Sequence, residues 1–265
     1  MYSPLQLAFK YVNYYFTASN GRGHGIHSPF VFELVRKVFI DKNEYDDYKT
    51  IELLRKELLQ NNTFLQVEDF GAGSRAGLTK QRSVKQIAKS SLKKPKYAQL
   101  LYRLVKYFQP NQVLELGTSL GITTCYLATA NKDAAVLTME GSTEIAIIAG
   151  KNFQQLQLKN IKLVNGNFDE TLTPAIDQLS SINFTFIDGN HRKVPTLNYF
   201  QKLLTKANDQ SLFIFDDIHW SKEMEEAWEE IKQHPSVTLT IDLFFIGLVF
   251  LRKEQLEKEH FVIRF

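Results

Sequence analysis

From Gln112 onward, short β-rich runs alternate with stretches of helical spacing, and this alternation constrains the fold more than any other feature. The strand candidates are Gln112–Leu116, Ala135–Met139, Ile161–Val164, Phe184–Ile187, Leu212–Phe215, Thr238–Asp242 and Leu248–Leu251. Strands separated by helices must run parallel, with the helices covering both faces of the sheet. The expectation is therefore an α/β, doubly wound, seven-stranded sheet. The last two runs leave no room for a crossover helix, so they are expected to pair antiparallel.

The part before Gln112 reads differently. Leu5, Phe9, Val12 and Phe16 recur at helical spacing, as do Phe30, Leu34, Val35 and Val38, and Ile51, Leu54, Leu58 and Leu59. We take 1–95 as an N-terminal helical or lid region and 96–265 as the main domain. The loop Ser19 to Ser28 holds three glycines at alternate positions, but no strand precedes it, so it reads as a plain loop and not a phosphate cradle. His24 and His27 within it could face a substrate if the loop closes.

Composition excludes several classes. With 44% hydrophobic and 23% charged residues the chain is globular. Its longest apolar run, Leu243–Leu251, is far shorter than the roughly 20 residues of a membrane-spanning helix. No secretion signal is visible at the N-terminus. One cysteine, Cys125, rules out an internal disulfide framework and fits a reducing compartment, the cytoplasm by default. A net charge of +3 is too small to imply a nucleic-acid partner by itself. Between Arg75 and Lys96, however, eight basic residues occur with no acidic one, a run able to attract anions.

The strongest local signal is Val113-Leu-Glu-Leu-Gly-Thr-Ser-Leu-Gly-Ile-Thr-Thr, an apolar strand that stops at a Gly-x-x-x-Gly turn before a helix. Gly117 and Gly121 let a ligand approach the backbone, Thr118 and Ser119 lie between them, and the helix start offers unpaired N–H groups. A dinucleotide site would want Gly-x-Gly-x-x-Gly. Glu115 inside the strand end would repel a pyrophosphate yet accept from an amine-bearing ligand. The second strand ends in Glu140, followed by Gly141, where a carboxylate accepts from both ribose hydroxyls.

These residues resemble motif I and its partner acid in the class I S-adenosylmethionine-dependent methyltransferases. The resemblance implies a Rossmann-like sheet of order 3-2-1-4-5-7-6, Glu115 serving the methionine amino group, Glu140 the ribose, Asn167 near the adenine, and Asp188 counted among the cofactor residues as well. Val67 to Arg75 also looks like a motif I, but no acid-ended second strand follows at the proper interval; we read it as part of the N-terminal region, folded over the pocket.

Two further strand ends carry chemistry: Phe184-Thr-Phe-Ile-Asp-Gly-Asn-His191 and Phe213-Ile-Phe-Asp-Asp-Ile-His-Trp220. Asp188, Asp216 and Asp217 can converge there on a hard divalent cation such as Mg²⁺. Such an ion would lower a substrate hydroxyl's pKa and fix it in line with the methyl group. The pattern is similar to metal-dependent O-methyltransferases of the catechol/caffeoyl and the macrolide-sugar/aminocoumarin types. His191 stands three residues after Asp188, where the catechol type has its lysine base, and an imidazole suits general-base work. His219 and Trp220 could line the acceptor pocket. Over nearly the whole chain, Gly23-His-Gly-Ile-His-Ser-Pro-Phe, the segment from Glu68 and Asp-Asp-Ile-His-Trp together look like a Bacteroidetes-like group of methyltransferases, which supplies no substrate.

The leading reading is O-methylation of a small hydroxylated molecule. A second is methylation of RNA or an anionic lipid or glycan steered by 75–96; a third is a silent cofactor-binding module. Dimers are frequent among the relatives the chain resembles.

Overall fold

We describe a computed structural model of the chain over residues 1–19, 21–23, 25–68, 81–255 and 257–265. Its elements run α1 (Pro4–Thr17), α2 (Pro29–Leu34, continued by one π-helical turn to Phe39), α3 (Asp46–Leu58), β1 (Phe64–Gln66), β2 (Gln81–Ser83), α4 (Val84–Ser91) and α5 (Pro95–Phe108). There follow β3 (Gln112–Leu116), α6 (Ile122–Ala130), β4 (Ala135–Glu140), α7 (Thr143–Gln155), β5 (Ile161–Asn165) and α8 (Phe168–Asp177). The chain ends with β6 (Ile182–Ile187), α9 (Lys193–Leu204), β7 (Ala207–Asp216), α10 (Lys222–Gln233), β8 (Leu239–Asp242), β9 (Ile246–Phe250) and β10 (Glu259–Val262). Two compact units result, residues 43–179 and residues 1–42 with 180–265.

In the unit 43–179, β3, β4 and β5 are parallel in the order β5-β4-β3, with Val113 opposite Val136 and Val136 opposite Ile161. Helix α6 is apolar on nearly every side, and its residues Ile122 to Ala128 are all buried. A helix of that composition is stable only inside a core. Cys125 lies within it, and burial pushes its thiol pKa up, with the Glu115 carboxylate adding to the shift. Strands β1 and β2 form a small antiparallel ribbon whose exit is fixed by a capping box, in which Gln86 N donates to Ser83 Oγ and Ser83 N to Gln86 Oε1.

In the other unit, β6 and β7 are parallel, β9 is antiparallel to both β7 and β8, and β10 runs parallel to β8. The order β6-β7-β9-β8-β10 carries the expected 4-5-7-6 arrangement plus one more strand. The antiparallel last pair is as expected. Phe200 of α9 stacks edge-on against Phe213 and Phe215 of β7 at 5.3 and 5.5 Å, and each buried ring contributes about 1.5–3 kcal/mol.

Three strands escaped the pattern reading, and each is short. In β10 the burial alternates between partial and exposed, so its hydropathy carries no strand signal. Leu5, Phe9, Val12 and Phe16 mark a helix, as their spacing predicts, but they face outward. The buried side of α1 is Leu7, Tyr11, Tyr14 and Ala18, packed with Phe244 and Phe245.

Candidate functional site

The turn after β3 is built on three residues in the left-handed region: Gly117 (φ 105°), Ser119 (φ 47°) and Gly121 (φ 81°). Gly117 N and Thr118 N both donate to Met139 O at 3.0 Å, which ties the turn to the end of β4. Gly121 serves packing as well as turning. A Cβ there would meet the Phe153 ring of α7 at 2.5 Å.

Beneath the turn lies a buried polar network. Glu115 is fully buried, and its Oε2 accepts from Thr124 Oγ1 at 2.5 Å and Thr138 Oγ1 at 2.6 Å. Thr138 Oγ1 in turn lies 2.6 Å from Thr118 Oγ1. Buried networks of this kind hold one geometry rigidly. Glu115 thus braces the turn from below.

Glu140 plays the visible part at the strand ends. Its Oε2 accepts from Ser119 N at 2.8 Å and its Oε1 from Ser142 N at 2.9 Å. A carboxylate can accept about four hydrogen bonds, so fixing two loop amides is compatible with receiving two ribose hydroxyls. Asn165 Nδ2 donates to Glu140 O and to Gly141 O. Asn167 caps α8, its Oδ1 accepting from Asp169 N at 3.1 Å.

Three contacts went unread in the sequence. Ser91, at the end of α4, places its Oγ 2.9 Å from Ser119 Oγ. Glu68 N donates to Ser142 Oγ at 3.4 Å, and Gln66 N to Glu144 Oε2. The β1–β2 region therefore abuts the start of α7. No local motif signals any of these contacts. The rest of that segment, 69–75, lies outside the described residues, as do His24 and the basic residues Arg75 and Lys80.

In the other unit, β6 and β7 deliver the second constellation. Asp188 follows β6, Asp216 ends β7, and a ligand atom from each of Asp188, His191 and Asp216 lies within 4.8 Å of the others. His191 Nε2 is 3.4 Å from Asp188 Oδ1, and Asp216 is almost wholly buried. The positive φ of Asn190 (66°) and His191 (29°) curls the loop back so that the imidazole returns to the strand end. Asn190 holds this curl by donating from Nδ2 to Tyr199 OH and accepting from Arg192 Nε.

Asp217 is not in that group. Its φ is 53° and its N donates to Phe245 O at 2.7 Å, so its backbone turns the chain out of β7. Trp220 does sit beside the cluster, its ring 5.5 Å from that of His191. His219 is used otherwise. It stacks on Phe244 and bridges Asp242 Oδ2 (2.7 Å) and Glu225 Oε1 (3.1 Å). Burial alone would lower its pKa, but the two carboxylates outweigh burial and raise it. Glu225 also takes Tyr2 OH and Lys10 Nζ, so the network anchors α1 to α10.

A parallel α/β scaffold with a glycine turn after one strand and an acid ending the next resembles the class I methyltransferase architecture. Residues 114–218 match the family model for a methyltransferase domain. Over that stretch the chain is similar to a methyltransferase domain. Over 127 residues it is 27% identical to a catechol O-methyltransferase of Niastella koreensis, a match covering 47% of this chain and 57% of that protein. The chain thus matches little more than half the length of this relative. Among solved structures, an O-methyltransferase of Bacillus cereus in complex with SAH superposes with a TM-score of 0.55 at 20% identity, covering 83% of this chain and 97% of that one. An O-methyltransferase of Streptomyces achromogenes involved in tomaymycin synthesis, in complex with SAM, gives 0.56 at 15% identity, covering 79% and 91%.

Proposed function

We propose that the protein is an S-adenosylmethionine-dependent O-methyltransferase acting on a small hydroxylated molecule, in the cytoplasm. The observation that carries the reaction type is the convergence of Asp188, His191 and Asp216 within 4.8 Å. The names of the relatives, all O-methyltransferases, support it. On this reading the turn Gly117 to Gly121 receives the methionine part, with Thr118 and Ser119 at its crest. Glu140 with Gly141 receives the ribose, Asn167 lies toward the adenine, and Glu115 keeps the turn in place through its threonines.

Two carboxylates and an imidazole are a donor set that suits a divalent cation such as Mg²⁺ or Mn²⁺. Asp188 and Asp216 would hold it. When bound, such an ion lowers the pKa of a coordinated hydroxyl, and S-adenosylmethionine supplies a sulfonium methyl group. His191 would take the proton from the acceptor hydroxyl whose oxygen receives the methyl group, S-adenosylhomocysteine being the other product. Trp220 offers the acceptor a ring face.

A methyl-transfer assay on a panel of catechols and other hydroxylated small molecules tests this. Turnover should vanish in EDTA and return on adding Mg²⁺ or Mn²⁺. Turnover indifferent to chelator would remove the cation. Cofactor binding without transfer to any acceptor would make the chain a binding module.

A further inference from the structure

Asp217 to Trp220 carry the chain from β7 to the Ser221 cap of α10, and Trp220 lays its ring 5.5 Å from that of His191. An indole on a loose turn would sample several rotamers and leave the imidazole beside it free to swing. This turn is tied at each end. Asp217 N donates to Phe245 O at 2.7 Å and Trp220 N to Asp217 O at 2.9 Å. Tyr2 N, from the residue before the α1 cap, donates to Trp220 O at 3.0 Å.

The ties meet at Glu225, in the first turn of α10. Its carboxylate accepts from Tyr2 OH at 2.6 Å and from Lys10 Nζ at 2.9 and 3.1 Å, and it lies 3.1 Å from His219 Nδ1. The other ring nitrogen of His219 is 2.7 Å from Asp242 Oδ2, and the ring stacks on Phe244. The turn is thus held at His219 by its side chain and at Trp220 by its carbonyl. Both holds run to one carboxylate.

We infer that Glu225 is a positioning residue for methyl transfer, which through Tyr2 and His219 fixes the turn that sets the Trp220 ring against His191. The inference rests on the reading of Asp188, His191 and Asp216 as the reaction centre. Groups that must meet a substrate in one geometry need supports that lock their rotamers. An anchor needed only to dock α1 would not have to end on the residue beside His191. Helix α1 has such an anchor already. Tyr14 OH donates to Ile263 O and accepts from Phe265 N, bonds that go to the C-terminal segment and not to the turn.

Acrylamide quenching of tryptophan fluorescence, read on the full chain, tests the positioning without any substrate. Of the two tryptophans, Trp228 is 2% exposed and shielded, so the quenchable emission belongs to Trp220, which Trp220→Phe verifies. Glu225→Gln and Tyr2→Phe should each raise the quenching constant, by about twofold for Glu225→Gln, as the ring gains rotamer freedom. Tyr2→Phe deletes one hydroxyl and carries the test if Glu225→Gln melts early. With an acceptor that the wild type methylates, Glu225→Gln should raise the acceptor KM roughly three- to tenfold, the share of a lost ring contact, and leave the KM for S-adenosylmethionine within about twofold. Tyr14→Phe should match the wild type in both readouts. Wild-type quenching in both hub variants, an equal rise in Tyr14→Phe, or raised quenching with an unchanged acceptor KM overturns the inference. A wild type that methylates no acceptor would defeat the proposed function instead, and the quenching would still decide whether Glu225 positions Trp220.

Discussion

Asp188→Asn and Asp216→Asn are each expected to slow methyl transfer by about 10²–10⁴-fold while leaving affinity for S-adenosylhomocysteine within about twofold. Asparagine keeps the shape of the side chain but removes the charge that a cation needs, so the variant tests chemistry more than packing. The prediction follows from where the two carboxylates lie: each stands at the end of a β-strand in the unit of residues 1–42 with 180–265, with a ligand atom within 4.8 Å of one from His191. Asp216 is buried at 2% exposure, so its variant must first be shown to melt as the wild type does. His191→Ala should separate two uses of the imidazole. If it accepts the proton, transfer falls while cation affinity, read by calorimetry with Mn²⁺, holds. If cation affinity falls with it, His191 is a ligand. Full activity in both aspartate variants would dismiss the cluster altogether.

The second large effect concerns stability. Gly121→Ala places a Cβ 2.5 Å from the Phe153 ring at a backbone φ of 81°. Overpacking of this kind costs about 1–3 kcal/mol, and a left-handed non-glycine residue about 1–2 more. The melting temperature should drop by roughly 5–15 °C for a chain of this size. Adding Phe153→Leu should recover the packing share and leave the backbone share, so the double variant falls between. A single variant as stable as the wild type would mean that the turn and α7 do not meet as described.

What the sequence disclosed and what it hid have physical causes. Seven strands were legible because parallel strands buried on both faces read as continuous apolar runs, as in Phe184–Ile187 and Leu212–Phe215. Strand β10 was not, since Glu259 and His260 interrupt it at the sheet margin. The glycines of the turn were legible as a motif, but the reason for Gly121 was not: Phe153 lies 32 residues away, and only the fold brings its ring there. The outward stripe of α1 shows the same limit. Periodicity finds a helix without saying which face is covered, and the tyrosines at 11 and 14 took the core in place of the phenylalanines at 9 and 16. Asp188, His191 and Asp216 were readable as strand-end residues. That Asp217, one residue on, falls outside their donor group goes with a left-handed backbone that no neighbouring residue announces.

The central claim is that S-adenosylmethionine binds where the turn after β3 meets Glu140, whose carboxylate fixes Ser119 N and Ser142 N. Calorimetric titration of S-adenosylhomocysteine into the wild type and Glu140→Ala tests it directly. The account predicts one site per chain in the wild type and at least tenfold weaker binding in the variant, through the combined loss of the ribose acceptor and of the anchored turn. No heat of binding in the wild type, or equal affinity in both proteins, would contradict it.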